Sequence, residues 1–363
     1  MNNTKQQTQS FRQRTTDFWN IFVKNEATIR KMIDEKAEAN DLIEELKTII
    51  ETAFFDVAFE VGHNGTKHEL ILSPNGNETV LKQIRYLLNR RPDEVNELWN
   101  FYAAKPAMGH EGMVLSIYDK DISAEDFTVY TNLEEERKLI HIEVYAPKLD
   151  DLEDNMKFNT LFIMLDLFIG ELYTMEYIGT VDFVEIPKRK DQESVSLAKM
   201  HAYINYLIEE HDWDKSKDPA ASYVVYKATP VEDSEKLRDD VFIGGSSSYD
   251  IIRQLRDEDI FPLQDLREDG VYMGYIFYDN HEIEQSEMVN FRADIEDKIE
   301  AITSPQGIAT ATGGATGQNY SYIDFMIYDL DAFLEIAKEV MKEYTVSPKG
   351  FAFFDDPETK IIF

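Results

Sequence analysis

The chain has 363 residues, with 70 Asp and Glu against 37 Lys and Arg, a formal net charge of −33. A surface that negative repels nucleic-acid phosphates and anionic headgroups and favours basic protein partners. Cysteine is absent, so no disulfide, thiol nucleophile or Cys-based zinc site can form, as suits a reducing cytoplasm. The hydrophobic fraction of 43%, with 22 Phe and 19 Tyr, is ample for packed cores, and the length calls for two or three domains. Met1–Gln13 is polar and does not read as a secretory signal, and Leu161–Ile169, interrupted by Asp166, is too short to span a bilayer. The expectation is a cytoplasmic protein without a membrane segment.

Phe18, Ile21, Phe22 and Ile29, then Leu42, Leu46, Ile49 and Ile50, recur at helical spacing and predict a helical pair over 1–56, bent at Glu35–Glu38. An α+β domain follows over 57–190. It opens on strands Val57–Val61 and Glu69–Leu72 around the turn Gly62–Gly65. Helix Glu78–Asn89 comes next, with Val80, Leu81, Ile84, Leu87 and Leu88 on its apolar side. Strands are expected at Trp99–Ala103, Met113–Tyr118, Phe127–Tyr130 and Leu139–Tyr145, then a helix from Asp154 to Leu172 and a strand at Val181–Ile186. The basic run Pro187-Lys188-Arg189-Lys190 marks a linker.

A connecting α/β segment, 191–270, is read as helix Val195–Glu210, strands Tyr223–Ala228 and Asp239–Ile243, the breaker Gly244–Ser248 and a helix through Leu255. Over 271–363 the order is strand Val271–Tyr278, helix Gln285–Ala301, strands Gly307–Thr312 and Tyr320–Tyr328, helix Asp331–Lys342 and strand Phe351–Phe354. That βαββαβ order is the pattern of a ferredoxin-like sandwich. The expected class is α+β.

The segments Leu237–Gly244 and Tyr320–Phe325 resemble bacterial proteins in which an uncharacterised domain sits beside a domain similar to the ribonuclease E inhibitor, the RraB-like family. The resemblance covers the second half. It implies a ferredoxin-like domain, an acidic surface and inhibition by protein contact.

Gly307–Gly317 is glycine-rich but lacks the Gly-Lys-Ser/Thr ending of a P-loop, and a hairpin explains it. Gly244, Gly245 and Ser246 ahead of a helix offer an anion-binding turn, with Arg238 and Arg253 to add charge; an ordinary helix cap explains the same residues. None of His63, His68, His110, His141, His201, His211 and His281 forms a His-Glu-x-x-His site. His63 and His68, with Glu60 and Glu69, offer only a hairpin metal site, against which stands a turn histidine in water. Asp119, Asp121 and Asp126 lack the glycine and terminal Glu of an EF-hand. Asp150, Asp151, Glu153 and Asp154 suit a helix entry. No Gly-x-Ser-x-Gly elbow is present.

Strand alternation places Tyr320, Tyr322, Asp324, Met326 and Tyr328 on one face, expected to be open or buried against the first half, with Tyr272 and Tyr278 joining it. Ser321, Ile323, Phe325 and Ile327 face the helices. The binding candidates are therefore Arg238, Gly244, Gly245, Ser246, Tyr320, Tyr322 and Asp324, with no catalytic residue, metal or cofactor. The sequence points to a non-enzymatic regulatory protein that docks on a basic protein surface, on an RNA-processing enzyme by the resemblance. The competing expectations are an enzyme or small-ligand protein with a site between the halves, and a partner that is a second copy of the chain.

Overall fold

In the computed structural model, residues 9–186, 194–213, 223–232, 234–248 and 261–363 are described. The Pro187–Lys190 linker, the helix expected through Leu255, and Arg253 lie outside them. The chain forms two compact units: Met1–Val57, Asn89–Val95 and Ser222–Phe363 make the first, Ala58–Leu88 and Asn96–Ala221 the second. The class is mixed α+β. Among the described residues, no single helix is long and apolar enough to cross a membrane.

The first unit opens on helix α1 (Phe11–Asp34), capped by the Ser10 hydroxyl, which accepts from the Gln13 N–H at 3.2 Å. Its stripe of Phe11, Phe18, Phe22 and Ile29 is fully buried. The chain turns through Lys36, in the left-handed region, into α2 (Ala39–Ile50), which buries Leu46, Ile49 and Ile50. Arg12 ties this pair to the C-terminal part of the unit. Its guanidinium donates to the Gln306 carbonyl at 2.8 Å and to Asp329 at 3.2 Å.

In the second unit, β1 (Ala58–His63) and β2 (His68–Ser73) pair as the expected hairpin, Ala58 against Ser73 through His63 against His68. Asn77 then caps α3 (Glu78–Leu88), and β3 (Trp99–Tyr102) adds parallel to β2. Strand β4 (Val114–Ile117) turns back into β5 (Lys120–Ser123), which the sequence reading missed. The turn uses Tyr118 and Asp119 with φ of 49° and 59°, a primed turn without its usual Asn-Gly. Strands β6 (Thr128–Glu134) and β7 (Leu139–Tyr145) form the centre of a four-stranded sheet.

The helix expected from Asp154 to Leu172 breaks. Helix α4 (Asp154–Ile169) ends at Gly170, and α5 (Glu171–Tyr177) leaves at 108°. Gly170 has φ +88°, and a Cβ there would lie 3.1 Å from the Ala107 amide nitrogen, so glycine is required. The next strand comes earlier than expected, as β8 (Ile178–Phe183), parallel to β7. Residues read as the start of a helix instead form β9 (Ser194–Ser196), paired with β6; the helix, α6, covers Met200–Glu210. Leu161, Met164 and Leu165 of α4 pack with Ile140, Ile142 and Val144 of β7 in one core.

The C-terminal sheet of the first unit has seven strands. Its elements are β10 (Val224–Lys227), β11 (Val241–Ser246), α7 (Phe261–Glu268), β12 (Tyr272–Asp279), α8 (Met288–Gln306), β13 (Ala309–Gly317), β14 (Tyr320–Ile327), α9 (Leu330–Met341), β15 (Lys349–Phe353) and β16 (Lys360–Ile362). The order is β10-β11-β13-β14-β12-β15-β16, all antiparallel. Ile276, Ile323, Phe325 and Ile327 meet Ile295 and Ile299 of α8 and Phe333 of α9. The helix-facing half of β14 is thus as alternation predicts.

Three expectations change here. The glycines of Gly307–Gly317 lie largely within β13, and the hairpin turn is Gln318-Asn319. Gly244, Gly245 and Ser246 are strand residues of β11, not a turn before a helix. Tyr272 and Tyr278 pair with Ile327 and Ser321, on the helix side, whereas Tyr275 and Phe277 pair with Asp324 and Tyr322 on the other face. A one-residue difference in position reverses the face, because the side-chain period of a strand is two.

Candidate functional site

The face of the C-terminal sheet opposite the helices holds a closed polar network rather than an open aromatic platform. Tyr322 and Asp324 are fully buried. Over them lies Arg238, from the segment that leads into β11. Its Nη1 donates to Asp324 Oδ1 at 2.7 Å and its Nη2 to Tyr226 Oη at 2.9 Å. The guanidinium carbon sits 4.6 Å from the Phe354 ring centre and 5.1 Å from each of Tyr275 and Tyr322. Arg238 has φ +72°, a backbone region costly for a side chain with a Cβ. Its own N–H compensates in part by donating to Tyr322 Oη at 2.9 Å.

Tyr322 then passes the network on, donating its hydroxyl to Asp240 Oδ1 at 2.5 Å. The other oxygen of Asp240 accepts from the amides of Asn319 and Tyr320, both at 2.9 Å, and so holds the β13–β14 turn. Burial pushes the Asp324 carboxyl up and Arg238 opposes that shift. Burial also works against charge on Arg238, but Asp324 and Tyr226 outweigh it and raise its pKa. A guanidinium does not give up its proton, so Arg238 faces Asp324 as a cation. Burial, with Asp240, likewise raises Tyr322, which remains a phenol and a donor.

Glycine makes room for this arrangement. A Cβ on Gly244 would fall 2.4 Å from Tyr226 Oη, and one on Gly317 would fall 2.2 Å from Asp240 Oδ2. Close approach, not turn formation, explains these strand glycines. Gly317→Ala is expected to displace the Asp240 carboxylate and lower stability by about 2 kcal/mol, read as a lower urea midpoint with an unchanged slope.

The structure therefore brings Arg238, Tyr322 and Asp324 together, although 84 to 86 residues separate the partners. Tyr320 lies at the edge of the group, its ring 6.5 Å from that of Tyr322. Gly244 abuts the network through Tyr226. Gly245 packs under Tyr223, and buried Ser246 accepts from the Ser248 amide. Tyr328 is also buried, beside Phe11 of the first half. Chemically the network is a buried ion pair that pins the segment before β11 to the sheet; both Nη atoms of Arg238 are bonded, while its Nε and the Tyr275 hydroxyl have no hydrogen-bond partner.

Each histidine has local company. His141 lies between Thr180 and Glu134, both at 2.9 Å; His211 contacts Glu135 at 2.7 Å, and His281 contacts Asp279 at 3.1 Å. His110 Nδ1 is 3.1 Å from the Glu111 carbonyl, and the His201 ring is 4.9 Å from Tyr173. His63 and His68 do face each other, with ring centres 4.7 Å apart. The carboxylates expected beside them are engaged elsewhere: Glu60 with Lys105 at 3.7 Å, Glu69 with Asn64 and Tyr102 at 2.7 and 2.9 Å. His63 Nδ1 accepts from the Gly65 amide, which occupies that lone pair, and His68 is buried against Trp99. Asp126 binds the Ser123 amide and Lys148, and Asp151 binds Lys120.

A second buried polar group, unanticipated in the sequence, sits at the α4–α5 break. Glu171 is 1% exposed; Oε1 accepts from the Ser73 hydroxyl at 2.8 Å and Oε2 from the Lys105 amide at 2.9 Å. Beside it, burial pushes the Asp166 carboxyl up to about 6; a Thr174 hydrogen bond opposes the shift, and Glu171 adds to it. The only sequence signal was a carboxylate inside an apolar run.

No protein-family model matches the chain, and neither a curated protein nor a solved structure matches it.

Proposed function

We propose that the chain is a non-enzymatic binding protein that docks on a basic protein surface. The observation that carries this reading is the net charge of −33. Such a field speeds encounter with a cationic partner and fixes its orientation, while a smaller apolar contact holds the complex. The Arg238 network suits a docking scaffold: its charges are spent on each other and hold the sheet in one shape.

The four strands β13-β14-β12-β15, with α8 and α9 on one face, are read as a split-βαβ, ferredoxin-like core. Their order and antiparallel pairing support that reading. Strands β10 and β11 would extend it at one edge and β16 at the other. With the resemblance of Leu237–Gly244 and Tyr320–Phe325 to the RraB-like inhibitor family, an RNA-processing enzyme is the partner class proposed.

The test is capture of partners from bacterial lysate by the immobilised full chain at physiological and at high salt. A basic protein retained at physiological salt and released at high salt is the expected result. Repeated failure to retain any salt-sensitive partner would overturn the reading.

A further inference from the structure

We propose that the outer edge of β10 receives an extended, basic segment of the partner as an added strand. This rests on the docking reading above and names where the contact forms. Strand β10 ends the sheet order and pairs only with β11 among the described residues. Among the described residues, nothing pairs with the N–H and C=O groups on its other side. Edge strands are commonly guarded by proline, by bulges or by charges along the strand. Tyr223-Val224-Val225-Tyr226-Lys227 has none of these except the terminal Lys227.

The side chains agree with the backbone. Helices α8 and α9 pack on the middle strands of the sheet. Helices are about 10 Å wide and strands about 4.8 Å apart, so two helices cover roughly four strands. Strands β10 and β11 overhang that cover. Tyr223, Val225 and Ile243 are 58%, 65% and 38% exposed, and Val224 on the opposite face is 46% exposed. An added strand would bury part of this apolar surface on both faces.

Charge selects the occupant. Tyr223 lies within electrostatic reach of Arg292 first, then of Asp324 and Glu296. Arg292 is directed to Thr316 at 3.2 Å and Asp324 is paired with Arg238. Helix α8 carries Asp294, Glu296, Asp297 and Glu300 against Arg292 and Lys298. Helix α8 is net acidic and the whole chain carries −33, so a cationic segment is drawn to it, although burial with Glu300 pushes the Glu296 carboxyl up to about 7. A strand with Lys or Arg alternating with β-branched residues answers the negative charge of the chain with its cations and sets apolar groups against Val224. A second copy of this chain would bring the same negative charge.

The experiment is fluorescence polarisation of the full chain with a labelled, capped Lys-Val-Lys-Val-Lys-Val-Lys peptide. Its controls are the same peptide N-methylated at alternate backbone amides and the variant Val225→Lys. This substitution is at an exposed position and leaves the fold unchanged, as circular dichroism should show. Saturable binding, weakened at least about tenfold by N-methylation and by Val225→Lys, is expected, because one breaks the ladder and the other repels the cations. Slowed hydrogen exchange at residues 224–227 on binding is also expected. Equal binding of both peptides would overturn edge pairing while leaving charge-driven docking intact. So would a failure to bind either peptide by a chain that still retains a salt-sensitive partner. Sedimentation showing a dimer that Val225→Lys dissolves would overturn the proposal in favour of a second copy.

Discussion

Arg238→Met is expected to destabilise the first unit by about 3–5 kcal/mol, the usual cost of stranding one member of a buried ion pair. Asp324 is fully buried and Arg238 nearly so, and the salt bridge between them is 2.7 Å long. Without the guanidinium, Asp324 must either take up a proton or keep an uncompensated charge, and Tyr226 loses its donor. The left-handed backbone at residue 238 keeps its N–H bond to Tyr322 but loses the side-chain anchor to Asp324. Arg238→Met with Asp324→Leu is expected to recover much of the loss, since the two charges leave together and the site is already lined by Tyr275, Tyr322 and Phe354. Urea unfolding of the four proteins of this cycle measures the coupling. Additive losses would refute the network as a unit.

Asp166→Asn is expected to stabilise the chain at pH 7 to 8 by about 2 kcal/mol and to do little near pH 4. The sign follows from the direction of the shift. Burial raises the Asp166 carboxyl from 3.8 to about 6, so the folded protein binds a proton more tightly there than the unfolded chain. The corresponding stability is fully present below the unfolded value and is lost as pH rises through about 6. Above that, the fold carries a carboxylate beside Glu171, with Lys105 the nearby cation and Glu60 a further anion. Asparagine keeps the shape and the link to Thr174 without the charge. Thermal midpoints of both proteins from pH 4 to 8 test this; parallel curves would show that Asp166 does not titrate between these states.

Much of the architecture was legible because it rests on local chemistry. The stripe of Phe18, Phe22 and Ile29 needs a helix at any location, and the Gly62–Gly65 turn between apolar runs needs a hairpin. The alternation of β14 likewise placed Ile323, Phe325 and Ile327 beneath the helices. Errors arose where a distant neighbour decided the outcome. Gly244 and Gly245 read as a breaker because strands seldom contain paired glycines; here Tyr226 and Tyr223 occupy the space their side chains would fill. Residues 194–196 read as helix because nothing nearby showed that β6 offered an unpaired edge. The α4–α5 break carried the visible mark of Gly170, but the Ala107 backbone that requires glycine there lies far away in sequence.

The candidate site shows the same division. Composition alone determined the negative charge, the absence of thiol chemistry and the supply of aromatic residues, since these are sums over the chain and no folding alters them. The pattern of β14 determined that Tyr322 and Asp324 share a face. Only the tertiary structure decided that this face is closed, because Arg238 and Asp324 become neighbours only when β11 and β14 enter one sheet. Once buried, their charges turn toward each other, as an unpaired charge away from water costs more than the interior can return.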